Sequence, residues 1–379
     1  PQTVDGATTG TLLTLTSGGI LVNGGSHTLG SNLVVATGAT EFGINVASGA
    51  TLNVDGVLAH IGGTNNATKG LEGNLVFNAR QYFNTGTNWF TMNGGTTTLA
   101  GGANTLYPGQ GIAVGPTATL NLNGNSQFVG GLRSPNSTGV ISGGTITSPT
   151  AATLYSVDST NANNYGGQIT GNLSFVKGGS QTMQFYGDNT YTGSTMIQGG
   201  TLTVIDSGRL SATSSIDISL GTLSISNGGR ANMGDRVNDA APITLSTGQV
   251  LFAGRPQTDS FENLGDLTLA QGNSNLNVGG SAGTGTNSSE LRFASISQSG
   301  AAYNGGTGLD ATTNLQNDSG QLGSNTRLYF TTPPALVNNI LPVWIENGAT
   351  EFVTYNPTLG VMPLGAVGAP GYTGTLLPT

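Results

Sequence analysis

Two short stretches decide the fold class: Gly200-Thr201-Leu202-Thr203-Val204 and its near copy, Gly221-Thr222-Leu223-Ser224-Ile225. Each alternates polar and apolar residues after a glycine, which is the period of a strand with one buried face. The same alternation recurs at residues 51–54, 119–122 and 275–278. No stretch combines a 3.6-residue period with helix end signals. The sequence therefore predicts an all-β fold.

The spacing of these stretches predicts how the strands are arranged. Four leucines, each between two polar residues, recur at a nearly constant spacing: Leu202, Leu223, Leu245 and Leu267. A period of about 22 residues is typical of solenoids, whereas hairpin sandwiches show strands roughly every 8–12 residues. A turn of about 22 residues would place the four leucines above one another, about 4.8 Å apart. We therefore expect a parallel β-helix, or β-solenoid, over residues 1–330, with regular turns over residues 200–300.

The end of the chain, from residue 331 onward, differs in composition. Seven of the 14 prolines lie between Pro333 and Pro378, and proline is excluded from central strands. Asn-Gly pairs elsewhere are consistent with solenoid corners or with hairpin turns, but the pair at 347–348 has the flanks of a hairpin. Residues 331–379 are predicted to be a tail that contains this hairpin and caps the solenoid or contacts another subunit. The candidate inter-subunit residues are Trp344, Phe352 and Tyr355.

Charge and cysteine content exclude several classes of protein. Only 7% of residues are charged and the net charge is −8, compared with roughly 25% charged residues in ordinary soluble domains. Such a chain offers no basic face for nucleic acid. It has no cysteine for disulfides or thiolate metal sites, and no apolar run long enough for a membrane helix. Because it starts at Pro1 without a signal peptide, we interpret it as a mature or excised piece of a longer protein.

Residues 171–206 carry a recognisable repeat. They contain Asn189-Thr190-Tyr191-Thr192-Gly193-Ser194-Thr195 and, after Ile197, Gly199-Gly200-Thr201-Leu202-Thr203-Val204. This pattern resembles the autotransporter-associated β-strand repeat, and residues 73–124 resemble a degenerate copy. Looser similarity to giant exported proteins of the verrucomicrobial and planctomycete type extends over most of the chain.

The resemblance implies a right-handed β-helix in a passenger-like segment at the bacterial cell surface. That family forms stalks and has no shared catalytic residues. It implies an extracellular location, and it implies self-association into a homopolymer or tandem modules of a longer chain. No cofactor, no nucleic-acid partner and no membrane insertion of this segment are expected.

Motifs for enzymes and metals are weak. Gly279-Gly280-Ser281-Ala282-Gly283 matches a nucleophile elbow, but both histidines, His27 and His60, precede it and no helix follows. Residues 305–310 match part of a calcium-binding nonapeptide without a second copy. The densest charged group is Asp235, Arg236 and Asp239, which we expect in a solvated loop with a local ion pair. The sequence thus predicts no catalytic, cofactor or metal residue and no enzyme.

Three functions remain open at this stage. The preferred one is a structural module that builds a surface stalk or a fibre by end-to-end stacking. The alternative is a carbohydrate-binding adhesin that uses the aromatic cluster of Trp89, Phe90 and Tyr82, although such a cluster also serves to seal a core. The third is a polysaccharide lyase or hydrolase, which would require clustered carboxylates on one sheet face.

Overall fold

The computed structural model describes residues 1–37, 41–60, 66–82, 89–135, 142–158, 162–279, 287–299, 311–317, 322–348 and 351–371. For residues 60 and 311–317 it describes the backbone only. The chain divides into two compact units, Pro1–Thr195 and Met196–Thr379. Within the described ranges all regular secondary structure is strand. The predicted all-β class is confirmed.

The strands up to the division between the units are β1 (Gln2–Val4), β2 (Thr11–Leu15), β3 (Gly19–Val22), β4 (Ser26–Leu29), β5 (Leu33–Thr37), β6 (Glu41–Val46), β7 (Thr51–Val54), β8 (Val57–His60), β9 (Asn66–Gly70), β10 (Asn74–Phe77), β11 (Trp89–Leu99), β12 (Gly111–Asn121), β13 (Gln127–Val129), β14 (Gly131–Arg133), β15 (Thr145–Val157), β16 (Asn163–Tyr165), β17 (Gln168–Gly178), β18 (Thr182–Phe185), β19 (Asp188–Asn189) and β20 (Thr195–Ile197).

The strands of the second unit are β21 (Gly200–Ile205), β22 (Arg209–Leu210), β23 (Ile216–Ser219), β24 (Gly221–Ser226), β25 (Ile243–Ser246), β26 (Gln249–Ala253), β27 (Ser260–Leu264), β28 (Leu267–Gly279), β29 (Ser289–Gln298), β30 (Ala311–Asn317), β31 (Thr326–Thr332), β32 (Ile345–Asn347), β33 (Glu351–Asn356) and β34 (Gly360–Pro363).

The first unit is a parallel β-solenoid. Strands β7, β10, β11, β12, β15 and β17 pair in parallel and in order. One inward-facing column runs through these strands and is at most 2% exposed: Leu52, Leu75, Thr97, Leu120, Ile146 and Ile169. Each buried aliphatic side chain contributes about 1.5–3 kcal/mol. The interior therefore consists of columns of stacked side chains, as the predicted solenoid requires.

The second unit is also a parallel β-solenoid, but the predicted leucine column is only half right. Leu202 pairs with Leu223, as expected. Leu223 then pairs with Val250 rather than with Leu245. Leu245 lies in a different column, between Ile218 and Leu269.

The physical reason for this error is a long connection. The described residues between the end of β24 at Ser226 and the start of β25 at Ile243 form no strand, so the turn from Leu223 to Val250 is longer than the turn before it. The nearly constant spacing therefore joined leucines of three different columns: Leu202 and Leu223 in one, Leu245 in a second and Leu267 in a third. Leu267 likewise pairs with Ile243, not with Leu245. The fold class is confirmed and the register beyond Leu223 is wrong.

The last strands leave the parallel pattern. Strand β31 pairs in parallel with β29, and β32 pairs in parallel with β30. Strand β33 then pairs antiparallel with both β32 and β34. The predicted domain boundary at residue 331, the capping role of the tail and the handedness of the coil stay predictions.

Candidate functional site

The predicted aromatic cluster of the first unit is divided by the fold. Alternation along β11 turns Phe90 inward, where it is fully buried and its ring centre lies 6.0 Å from that of Phe77. A ligand at the surface cannot reach it there. Trp89 faces the other way, with the Arg133 guanidinium 3.8 Å from its ring centre. Tyr82 is 47% exposed and packs against Tyr107.

The candidate contact residues of the tail also have separate environments. Phe352 is 45% exposed and borders a cavity of about 470 Å³. Half-buried Trp344 and the exposed side chains of Val337 and Val343 line the same cavity. Tyr355 faces elsewhere, and its hydroxyl donates to the carbonyl of Phe330 at 2.7 Å. The structure brings together two of the three residues.

A groove of about 830 Å³ lies on the second unit and is lined by polar and aromatic residues. Strand pairing sets Asn263, Arg292 and Tyr329 side by side on successive turns. Asp239 lines the same groove, and burial raises the pKa of its carboxyl. Arg292 forms an ion pair with Glu290 and lies with its guanidinium 5.8 Å from the Tyr329 ring centre. Sequence reasoning missed this groove because its residues are far apart along the chain and meet only when successive turns stack.

The charged group near residue 236 differs from the prediction. Asp235 is exposed and pairs with Arg209 at 3.4 Å, so a local ion pair exists. Arg236, however, is fully buried. Its guanidinium donates to Asn227 Oδ1 and to the carbonyls of Asp206, Gly208 and Ala231, at 2.8 to 3.0 Å. The expectation that Arg236 belongs to a solvated surface was wrong, because these acceptors converge inside the loop.

A buried carboxyl group lies next to this arginine. Glu262 faces inward from β27 and accepts hydrogen bonds at Oε1 from the backbone N–H groups of Arg236 and Val237, both at 2.8 Å. Its Oε2 has no hydrogen-bond partner among the described residues. Burial raises the pKa of Glu262 to about 8, with the backbone donors and Arg236 acting in the opposite direction. Glu262 is therefore held protonated near neutral pH.

Both lysines of the chain are also fully buried. The Lys69 amine donates to the carbonyls of Leu71, Gly73 and Gly94 at 2.5 to 2.7 Å, and burial lowers its pKa to about 8. A side chain at Gly95 would collide with this amine. Lys177 lies within 4.0 Å of Asp158, with both side chains excluded from solvent.

The enzyme and metal motifs of the sequence are not tested by the described part of the chain. Ser281 of the elbow pattern and residues 305–310 of the nonapeptide pattern lie outside the described residues. His27 Nε2 donates a hydrogen bond to the Gly24 carbonyl at 2.8 Å. Over the described ranges no three His, Asp or Glu side chains converge as a metal site would require. Nor does any helix in these ranges have the length and apolar character to cross a membrane.

The fold defines the class of protein as a parallel β-solenoid with a closed, partly charged interior. Within it, residues 175–204 match the family described as Passenger-associated-transport-repeat. The predicted resemblance to an autotransporter passenger repeat is confirmed for this stretch. Searches of curated proteins and of solved structures found no match. The verrucomicrobial and planctomycete type stays a prediction.

The spacing of apolar residues in the matched stretch has a structural explanation. Phe175 and Phe185 pack with ring centres 5.1 Å apart, and the Tyr191 hydroxyl lies 2.5 Å from that of Thr195. In the second unit, Leu202 and Val204 of the same stretch are fully buried. The repeat is thus a packing unit whose prominent residues face the interior. This arrangement fits a structural, passenger-like module.

Proposed function

We propose that this chain is a non-catalytic structural module of an exported bacterial surface protein. The observation that carries the proposal is a passenger-associated repeat placed inside parallel solenoid turns. Passenger repeats belong to secreted or surface-exposed proteins, which supports an extracellular location. A stack of similar turns also makes a long, stiff structure from a short repeated sequence pattern, because each turn contacts mainly its neighbours.

End-to-end stacking is the assembly that the first unit favours. Strands β1, β2 and β3 pair with the later strands β4, β5 and β6, respectively, and lie at the edge of the stack. Leu12 and Leu21 on these strands are 56% and 69% exposed. An exposed edge with apolar side chains is a template for pairing with a further strand. That strand comes from a second copy in a fibre, or from preceding residues in a longer stalk.

Negative-stain electron microscopy across a concentration series tests the fibre. We expect filaments that grow with concentration and that are lost in the double variant Leu12→Glu, Leu21→Glu. Leu220→Glu is the matched control, because Leu220 is 74% exposed and belongs to the second unit. Dispersed monomers at every concentration would contradict assembly through the edge. Turnover of an acidic polysaccharide that Asp235→Asn abolishes would contradict the non-catalytic role.

A carbohydrate-binding adhesin is the second candidate, and the groove of the second unit favours it. Tyr329 supplies an aromatic ring, while Asp239, Asn263 and Arg292 supply donors and acceptors on successive turns. Rings combined with planar polar groups suit sugar hydroxyls and C–H faces. Affinity electrophoresis in gels containing neutral polysaccharides should show retardation that Tyr329→Ala removes. Retardation lost in Trp89→Ala instead would place the site at Trp89, and no retardation at all would exclude the adhesin for those polymers.

A further inference from the structure

Three side chains of the first unit meet in its interior. Lys177 lies on β17 in phase with Leu173 and Phe175, so its side chain points inward with theirs. Asp158 directly follows β15, and Asn163 begins β16. The Lys177 and Asp158 side chains are 0% exposed and the Asn163 residue is 6% exposed. The Lys177 Nζ lies 4.0 Å from Asp158 Oδ2.

Hydrogen bonds from neighbouring groups hold both this amine and this carboxyl in place. Asn163 Nδ2 donates to Asp158 Oδ1, and the Ser156 hydroxyl donates to Oδ2 at 3.2 Å. The Lys177 amine donates to the carbonyls of Gly178 and Gly179, at 2.5 and 3.3 Å. The carboxyl is thereby polarised by two donors while the amine is held beside it.

Burial also shifts both groups toward their neutral, reactive forms. It raises the pKa of Asp158 and lowers the pKa of Lys177, and in each case the partner's charge acts in the opposite direction. A buried ion pair compensates desolvation only with close, well-directed contact, which a 4.0 Å separation does not provide. A neutral amine is a nucleophile, and a neutral carboxylic acid with hydrogen bonds to its oxygens is an acceptor for it.

The other lysine provides a natural comparison inside the same unit. The Lys69 amine is equally buried, yet its acceptors are three backbone carbonyls. No carboxylate lies within 4.0 Å of it among the described residues. Burial of an amine is therefore common to both sites, and a contacting carboxyl distinguishes Lys177.

We propose that Lys177 and Asp158 form an intramolecular amide cross-link. The bond forms between Lys177 Nζ and Asp158 Cγ. The bond between Cγ and the hydroxyl oxygen of the acid breaks, and this hydroxyl leaves as water with one amine hydrogen, assisted by the Ser156 hydroxyl. The other amine hydrogen stays on the amide and donates to a glycine carbonyl. No oxidant, metal or activated co-reactant is needed.

The cross-link would join adjacent turns of the solenoid. Ser156 of β15 pairs with Lys177 of β17, and Asp158 directly follows β15, so Asp158 and Lys177 come from adjacent turns. The chain has no cysteine, so such a bond would link two turns covalently and restrict the unfolded chain, as a disulfide does in other proteins. This inference goes beyond the proposed structural role and does not depend on fibre formation or on glycan binding.

Intact-mass spectrometry of the purified, denatured full chain tests the proposal. We expect a mass lower than the sequence mass by one water molecule. Trypsin should fail to cleave after Lys177, which leaves residues 134–209 as a single peptide. The full sequence mass would overturn the proposal. A deficit of one ammonia would overturn it as well, because the acyl group would then come from Asn163.

Three variants assign the bond if the deficit is found. Asp158→Ala and Lys177→Arg should each restore the full mass, and digestion of the second should release a peptide that ends at residue 177. Lys69→Arg is the control and should keep the deficit. A deficit that persists in Lys177→Arg would place the modification elsewhere and overturn the assignment. The wild-type mass decides the main question even if a variant fails to fold.

Discussion

The two units bury charge in their interiors in different ways. In the first unit, the Lys69 amine is surrounded by backbone carbonyls of its own and the next turn. In the second, the Arg236 guanidinium joins segments that are distant along the chain, and Glu262 lies beside it with one oxygen unpartnered among the described residues. An amine fills a small cage within regular turns, whereas a guanidinium organises a long loop between strands. We therefore expect the irregular turn around Arg236 to depend more on its buried polar residue than the regular turns around Lys69 do.

The largest loss of stability is expected at Arg236, the buried cation that distinguishes the second unit in this comparison. Arg236→Leu removes the donor for four acceptors and leaves Glu262 without its neighbouring positive charge. We expect a loss of about 3–5 kcal/mol in the free energy of unfolding. Urea unfolding followed by circular dichroism measures it. Arg230→Leu, at an exposed side chain in the same loop, is the control and should change stability little.

Leucine truncation tests whether the stacked columns carry more stability than the surface. Leu223→Ala removes a fully buried side chain between Leu202 and Val250, and should cost about 3 kcal/mol. Leu220→Ala, shortly before it and 74% exposed, should stay within about 0.5 kcal/mol of wild type. Equal effects at both positions in urea unfolding would contradict the described register.

Lys69→Met tests the amine cage of the first unit. The variant keeps the length of the side chain but leaves the carbonyls of Leu71, Gly73 and Gly94 without this donor. Removal of a desolvated amine offsets part of that loss, so we expect about 2 kcal/mol of destabilisation. Thermal unfolding should show a lower midpoint for Lys69→Met than for wild type. A midpoint at or above the wild-type value would mean that the cage is not stabilising.

Glu262→Gln should give the smallest effect, and one of opposite sign. Its pKa is raised to about 8 in the folded chain from an ordinary value of 4.5, so the folded state binds a proton that the unfolded chain releases. The stability that this proton provides is complete below pH 4.5 and is lost as pH rises toward 8. Glutamine stays neutral, so Glu262→Gln should be more stable than wild type by roughly 1–2 kcal/mol at pH 7, after allowance for water penetration.

Urea unfolding at pH 4.5, 6, 7 and 8 measures this difference. The gain over wild type should grow across the series and be smallest at pH 4.5. Glu41→Gln, at an exposed carboxylate, is the matched control. The pH dependence of Lys69 has the opposite sign, because its pKa is lowered to about 8 in the folded chain from an ordinary value of 10.5. The free energy of unfolding of wild type should therefore rise as pH increases from 8 toward 10.5.

The sequence predicted the fold class because strand alternation and turn length are local properties. Leu202 and Leu223 could be paired from spacing alone, since only short corners separate their strands. Leu245 could not, because the connection after Ser226 shifts the column by a length that composition does not reveal. Likewise, alternation makes Phe90 a core residue once β11 is defined, but not before.

The buried charges were missed for a related reason. Lys177 follows Leu173 and Phe175 at intervals of two, so its position in the inward phase was visible in the sequence. What the sequence did not reveal is that Asp158 reaches the same point from the adjacent turn. The groove of Asp239, Asn263 and Tyr329 is of the same kind, because it exists only after the turns that carry these residues are stacked. Sites that span turns require the register, and the register depends on loop lengths.

Burial of both lysines also determines which chemical reagents and proteases can act on the folded protein. Lys69 and Lys177 are the only lysines of the chain, and neither side chain reaches solvent. Amine-directed labels and aldehyde fixatives therefore find no lysine on the folded surface, and trypsin-like proteases are left with arginines alone. The folded surface is therefore unreactive toward amine-directed chemistry, which would suit the exported surface module proposed above.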